Sequence, residues 1–397
     1  MTTAPPLTAR RFLVTVLAVA AALLGGVGLI NFTVDPYASF RWADIKGVTD
    51  AKTLRRDGGR VNKALILNHT RFDVLFFGSS RGEMGLDPDS PALDGTRAFN
   101  ASLPYTSLYE MDKVVSFAAA HQSPRLVVVC LDLMMFVADD ATQGDFARSG
   151  FAGAPLWPVY AQRLLSLREF GDSLGVLADS VRHIPQQAAK NGSYDRDVRR
   201  KGFDHRGEMG SLLRTLMAPG RNANSYGGFV YAPERMALVG HLATAFGDHD
   251  TRVALFIAPI HAKMLEAKIA AGLLPVYEQW ERDLVATVTA VNAGRRGPVE
   301  LWDFSGYNAV TTEDIPRDPS HRMQWYWDGS HFNKAAGNLV LSRILGKPAP
   351  EDFGTKLTVD TIGDSLTRLR QGHRDYAASH PDEMAEIAAL AAARSRR

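Results

Sequence analysis

Two hydrophobic patterns divide the chain. After Arg10 and Arg11, Phe12 to Ile30 runs nineteen residues with no charge and no polar face. At about 1.5 Å per residue such a helix covers roughly the 30 Å hydrocarbon core of a bilayer. Basic residues precede the run and none follows closely until Arg41, which predicts an N-terminus inside and the bulk of the chain across the membrane. A cleaved signal peptide is the rival reading, but the run exceeds an ordinary signal core and no small-x-small site follows it. Asn31 to Tyr37 reads as the chain leaving the bilayer.

Beyond residue 71 the pattern changes to short apolar runs alternating with amphipathic stretches. The runs Phe72–Phe77, Arg97–Asn100, Leu126–Leu131, Val253–Ala258 and Val299–Phe304 predict five strands. Helical spacing covers Tyr109–Ala120, 234–246, Leu265–Asn292 (broken near Gly272 and Pro275) and Asn333–Leu345. Such alternation predicts an α/β fold with a doubly wound, mostly parallel five-stranded sheet. The rhythm fails over 137–230, which reads as a helical insertion that can cap a site. The expected organisation is a cytoplasmic N-terminus (1–11), a transmembrane anchor (12–30), a connector or brace (31–71), the α/β domain (72–347) and a peripheral helical tail (348–397).

Composition narrows the function. The chain is 46% hydrophobic and 22% charged, a globular balance, and its net charge of +2 gives no bulk field for nucleic acid. The clusters Arg199-Arg200-Lys201 and Arg394–Arg397 read as solvated surface. A single cysteine, Cys130, lies in an apolar run and reads as a small core residue. Asp248-His249-Asp250 has no partner cluster at ligand spacing, so no metal is expected, and no glycine-rich phosphate loop appears, so no cofactor is expected either.

Two segments can carry chemistry. Gly78-Ser79-Ser80-Arg81 follows the first strand, at the sheet edge where α/β sites form and near the positive end of the next helix. Ser80 there suits a nucleophile; the plain alternative is a serine N-cap. Trp325-Tyr326-Trp327-Asp328-Gly329-Ser330-His331 precedes the last amphipathic helix. Asp328 and His331, three apart, can share one face, with the aspartate accepting from Nδ1 and Nε2 free to take a serine proton. Alone, each segment has an ordinary reading. Together, on one edge of one sheet, they point to a Ser80–His331–Asp328 triad.

This order and placement resemble the SGNH-hydrolase superfamily, the GDSL-type esterases, in a flavodoxin-like α/β fold. The resemblance implies Ser80 as nucleophile, with Ser79 where the family has aspartate, and Asp328 and His331 as its Asp-x-x-His pair. It implies oxyanion donors in the Asn100-Ala101-Ser102 block, Ser102 standing for the family's glycine. After the third strand Leu131-Asp132-Leu133-Met134 departs from Gly-x-Asn-Asp; Asp132 would repel an oxyanion and reads as structural or orienting. With the anchor, the variant serine block resembles the membrane-bound SGNH-like proteins of lipoteichoic-acid D-alanylation and alginate O-acetylation. That implies acyl transfer or ester hydrolysis on an envelope glycan or polymer, at the bacterial cytoplasmic membrane, beside a membrane-bound O-acyltransferase. A catalytically silent scaffold of the same fold is the alternative.

Three further readings stay open. His261, after the fourth strand, can bind substrate or serve as a hydrogen-bonded structural group. Arg81 can meet an anionic group or pair with Glu83. Trp325, Tyr326 and Trp327 can stack on a sugar or pack their own loop.

Overall fold

The structure, a computed structural model, describes residues 6–40, 44–52, 59–138, 141–186, 189–196, 203–218, 225–247 and 251–395. Asp248-His249-Asp250 and Arg199-Arg200-Lys201 lie outside the described residues. In chain order the elements are α1 (Pro6–Val34), α2 (Gly59–His69), β1 (Val74–Phe77), α3 (Ser80–Gly85), β2 (Ala98–Asn100), α4 (Leu108–His121) and β3 (Leu126–Leu131). The insertion follows, with α5 (Trp157–Leu165), α6 (Leu167–Val181) and α7 (His205–Met217). Then come α8 (Met236–Thr244), β4 (Arg252–Ile257), α9 (Ala262–Ala270), α10 (Leu274–Ala293), β5 (Val299–Asp303), α11 (Lys334–Ile344), β6 (Thr355–Lys356), α12 (Ile362–Ser379) and α13 (Pro381–Ser395).

One sheet in the order β2-β1-β3-β4-β5-β6 organises the α/β fold. β1 to β5 are mutually parallel, with Phe76 opposite Val128, Val128 opposite Ala254 and Leu255 opposite Leu301. β3 is buried at all six positions, which is why it reads as an unbroken apolar run rather than an alternation. The sheet has six strands rather than the five expected. β6 runs antiparallel to β5, Thr355 opposite Asp303, and two residues are too few to show a period.

Two boundaries are corrected. The segment read as a peripheral tail is part of the domain: besides β6 it supplies Leu366, Leu369 and Ile387 to the core, and α13 packs on α9. Arg370 grips Glu278 on α10 at 2.5 Å, and Lys263 on α9 grips Glu386 at 2.6 Å. Within the expected connector, α2 is a buried helix packed on α4, with Ala64, Leu65 and Leu67 fully enclosed.

From Ala9 to Gly26 every side chain of α1 is exposed, and Ala9–Val34 is long and apolar enough to cross a membrane. Its last turns enter the protein. Asn31 is fully buried and donates from Nδ2 to the Leu164 and Ser166 carbonyls at 2.9 and 3.0 Å. Asn31–Tyr37 is therefore a docking segment, corrected from a mere exit from the bilayer. The insertion splits accordingly: α5 and α6 pack on α1, residues 189–196 bond to the end of β2 and to α3, α7 packs on α9 and α13, and Arg196 and His205 reach the loop before α11.

Candidate functional site

β1 leads straight into the site. Gly78 and Gly82 flank Ser80, and both need the absence of a side chain. A Cβ on Gly78 would stand 2.9 Å from Cys130 Cβ, and one on Gly82 would stand 2.7 Å from Ser102 Oγ. Glycine lets the turn lie flat on the ends of β2 and β3. Ser79 caps α3, its Oγ accepting from the Arg81 amide at 3.4 Å, so Ser79 holds the cap and Ser80 is left half-exposed. At six residues, α3 is too short to supply the helix-end field expected of it.

Opposite Ser80, a small antiparallel bridge between Tyr326 and Phe332, both fully buried, holds the loop before α11. The Trp327 amide donates to His331 O at 2.9 Å. Within that loop Asp328 Oδ1 accepts from the Ser330 and His331 amides, each at 2.9 Å. Both carboxylate oxygens lie 2.9 Å from His331 Nδ1, and Ser80 Oγ lies 2.8 Å from His331 Nε2. Residues 251 apart in sequence thus form one hydrogen-bonded line.

The line has a defined direction. Burial pushes the Asp328 carboxyl up, but the facing His331 imidazole, the Ser330 amide and Arg196 outweigh it and hold the group well below the usual carboxylate range. An ionised carboxylate only accepts, so Nδ1 carries the imidazole proton and Nε2 is left to accept from the Ser80 hydroxyl.

Sequence reasoning missed Arg196, whose Nη1 donates to Asp328 Oδ2 at 2.5 Å while Nη2 reaches Glu208 at 3.1 Å. It lies in a polar stretch of the insertion with no period to mark it. His205 was also missed. Its Nδ1 lies 3.1 Å from the Trp327 carbonyl, and burial lowers its pKa. Trp327 packs edge-on against Phe203, the loop-packing role among the two open for these aromatics.

The donor side differs from expectation. Asn100 is fully buried; its Nδ2 donates to the Gly82 and Leu86 carbonyls, both at 2.8 Å, and its Oδ1 accepts the Ser102 amide at 3.0 Å. Neither the Asn100 amide nor the Ser102 N–H is therefore turned to Ser80, which corrects both as oxyanion donors. The Ser102 hydroxyl is buried without a hydrogen-bond partner. Asp132 caps the turn after β3, accepting from the Met134 amide at 2.8 Å, and pairs with Arg81 Nη1. Arg81 also donates to Ser330 O at 3.2 Å and Ser330 Oγ at 2.5 Å. It ties the end of β3 to the His331 loop, and Glu83 pairs instead with Lys63 at 3.2 Å.

His261 is likewise corrected as a substrate ligand. Buried at the start of α9, its Nδ1 accepts from the Lys263 amide at 3.1 Å, so Nε2 carries the proton given to Glu313 O at 2.7 Å. Its backbone amide donates to Gly329 O at 3.0 Å, bracing the loop from beneath. One buried cation remains near the Arg81–Asp132 pair: Lys268, between the rings of Tyr226 and Tyr277 at 5.9 and 5.6 Å, whose ammonium burial pushes down to about 8.

Among the described residues, no group of three or more His, Cys, Asp or Glu side chains is placed to hold a metal ion. The arrangement provides a hydroxyl, an imidazole nitrogen within hydrogen-bond reach of it, and a buried anion behind that imidazole, which together can move a proton off Ser80. No known protein-family model matches this chain, and no curated protein matches it either.

Proposed function

We propose that the protein is a serine-dependent acyltransferase or esterase of the SGNH type, held at the bacterial cytoplasmic membrane by α1 and acting on an acylated envelope glycan or polymer. The observation that carries this reading is the 2.8 Å approach of Ser80 Oγ to His331 Nε2, backed by Asp328 at 2.9 Å. Two features support it. The order β2-β1-β3-β4-β5 is that of flavodoxin-like sheets, and Ser80 follows β1, where the order reverses and such sheets bind ligands. The line Ser80–His331–Asp328 also has the polarity that acyl transfer needs.

In this mechanism Ser80 Oγ attacks the acyl carbonyl carbon as its proton passes to His331 Nε2. The tetrahedral adduct collapses, the C–O bond to the departing alcohol breaks, and His331 returns the proton to that alcohol. Ser80 is left as an ester. A second hydroxyl, from a glycan or from water, then attacks the acyl carbon with His331 as base, and Ser80 recovers its proton. Asp328 stabilises the imidazolium in both half-reactions. A membrane-bound O-acyltransferase is the partner that would supply the acyl group.

A second reading has its own support. With the Asn100 side chain and the Ser102 N–H engaged in the scaffold and Asp132 paired to Arg81, neither Asn100 nor Asp132 offers the side-chain donor whose loss typically costs roughly 10²–10³ in rate. That favours a slow, specialised transferase, or a silent scaffold that binds the polymer. A fluorophosphonate probe separates them. The full-length chain in detergent should become labelled on Ser80, with labelling lost in Ser80→Ala and His331→Ala while their thermal unfolding stays unchanged. Unlabelled wild type would establish the scaffold; labelling that survives in Ser80→Ala would remove Ser80 as nucleophile.

A further inference from the structure

We propose that α5 and α6 form a membrane foot: a pair of amphipathic helices that lie in the lipid headgroup region beside α1 and set how the domain stands on the bilayer. The inference rests on reading α1 as a membrane span.

The two helices face outward with their apolar sides. On α6 the exposed positions Leu167, Gly171, Leu174, Ala178 and Val181 recur at steps of four and three, one straight stripe on a 3.6-residue helix. On α5 Trp157, Ala161 and Leu165 do the same at steps of four. Trp157 and Leu167 are 72% exposed and Val181 66%. The opposite faces are the polar ones that dock inward. Arg163 and Glu169 pair with each other, Ser173 donates to Asn31 at 3.2 Å, and Asp172 accepts from Tyr37 at 2.5 Å. A helix pair on an ordinary water-facing surface has the reverse arrangement.

The location identifies what covers this side. Gly28 of α1 packs against the Leu164 carbonyl and the Leu165 side chain, and Asn31 clamps the α5–α6 junction. The uncharged run of α1 ends at Ile30, so the junction sits at the level where the helix would leave the hydrocarbon. Aromatic rings gather there: Phe40 contacts Phe32 at 5.3 Å and Tyr160 at 5.8 Å. Arg168 and Arg182 are exposed next to the stripe. Apolar stripe, tryptophan, flanking arginines and direct continuity with an apolar helix are the features of an interfacial helix.

The experiment uses the full chain in vesicles of phosphatidylethanolamine and phosphatidylglycerol. Cys130 is buried, so an introduced thiol is the one that takes an environment-sensitive fluorophore. Labels are placed at Leu167→Cys and Leu174→Cys, at Leu23→Cys to report on α1, and at Tyr105→Cys, an exposed position outside α1, α5 and α6. The expected result is blue-shifted emission and a severalfold loss of iodide quenching at 167, 174 and 23 relative to 105. Aqueous behaviour at 167 and 174 with a shielded label at 23 overturns the foot and leaves the anchor standing. Aqueous behaviour at 23 as well overturns both.

Discussion

Along Ser80, His331 and Asp328 each polar atom points to the next, whereas around Asn100, Ser102 and Asp132 the polar atoms turn inward on the scaffold. The first group is joined by contacts of 2.8 and 2.9 Å between the turn after β1 and the loop before α11, and its end, Ser80, is half-exposed. The second group is buried; Asn100 and the Ser102 N–H bond within α3 and the end of β2, and Asp132 holds the turn after β3 and the Arg81 side chain. Both groups sit at the same sheet edge. The difference teaches that one edge can hold a mobile proton and a rigid brace side by side, and that sharing the edge does not make a polar residue a participant.

The largest effect should come from cutting the line at its buried end. Asp328→Asn keeps the shape but removes the anion that fixes the imidazole proton on Nδ1, and phosphonate labelling should slow by roughly 10³–10⁴. A loss below tenfold would mean that His331 orients without Asp328 and the two groups are less distinct than drawn. Acid should leave the Asp328 anion in place below the usual carboxylate range. The folded carboxyl is held below its ordinary value, so the stability it contributes is present above its unfolded pKa near ~3.9 and fades only as pH falls further toward the folded value.

A smaller, opposite kind of effect belongs to the brace. Asn100→Ala strands the Gly82 and Leu86 carbonyls and the Ser102 amide in a buried place. Thermal or urea unfolding should report a loss of about 3 kcal/mol. Labelling per folded molecule should stay near wild type instead of falling by the roughly 10²–10³ of a lost oxyanion donor. A rate loss with unchanged stability would move Asn100 to the chemical group.

What could be read in the amino acids follows the same division. The five parallel strands were visible because β3 is apolar throughout and β4 is apolar after Arg252, and α9 and α10 part near Gly272, where the backbone turns to positive φ. Ser80, Asp328 and His331 were visible because a glycine turn after a strand and an Asp-x-x-His before a helix are local patterns. The roles of Asn100, Ser102 and His261 could not be read from the sequence because they depend on where neighbouring carbonyls point, which no spacing encodes. Arg196 was invisible for a related reason: its partner Asp328 lies 132 residues away. The outward stripe of α6 carried an ordinary amphipathic pattern, and only its docking against α1 shows which face is turned out.

The smallest expected change is the sharpest test of the brace. The Ser102 hydroxyl is buried with no hydrogen-bond partner, and it stands where it would meet any side chain on Gly82. An unpartnered buried hydroxyl contributes nothing favourable, so Ser102→Ala should change stability by no more than about 0.5 kcal/mol, toward greater stability if at all. The backbone N–H that Asn100 holds is untouched by the substitution. Labelling should therefore be unchanged too. A tenfold slowing with normal unfolding would show the hydroxyl swinging toward the reacting carbonyl once substrate binds; the inward-turned group would then open during turnover, and the static contrast between the two groups would hold only for the empty site.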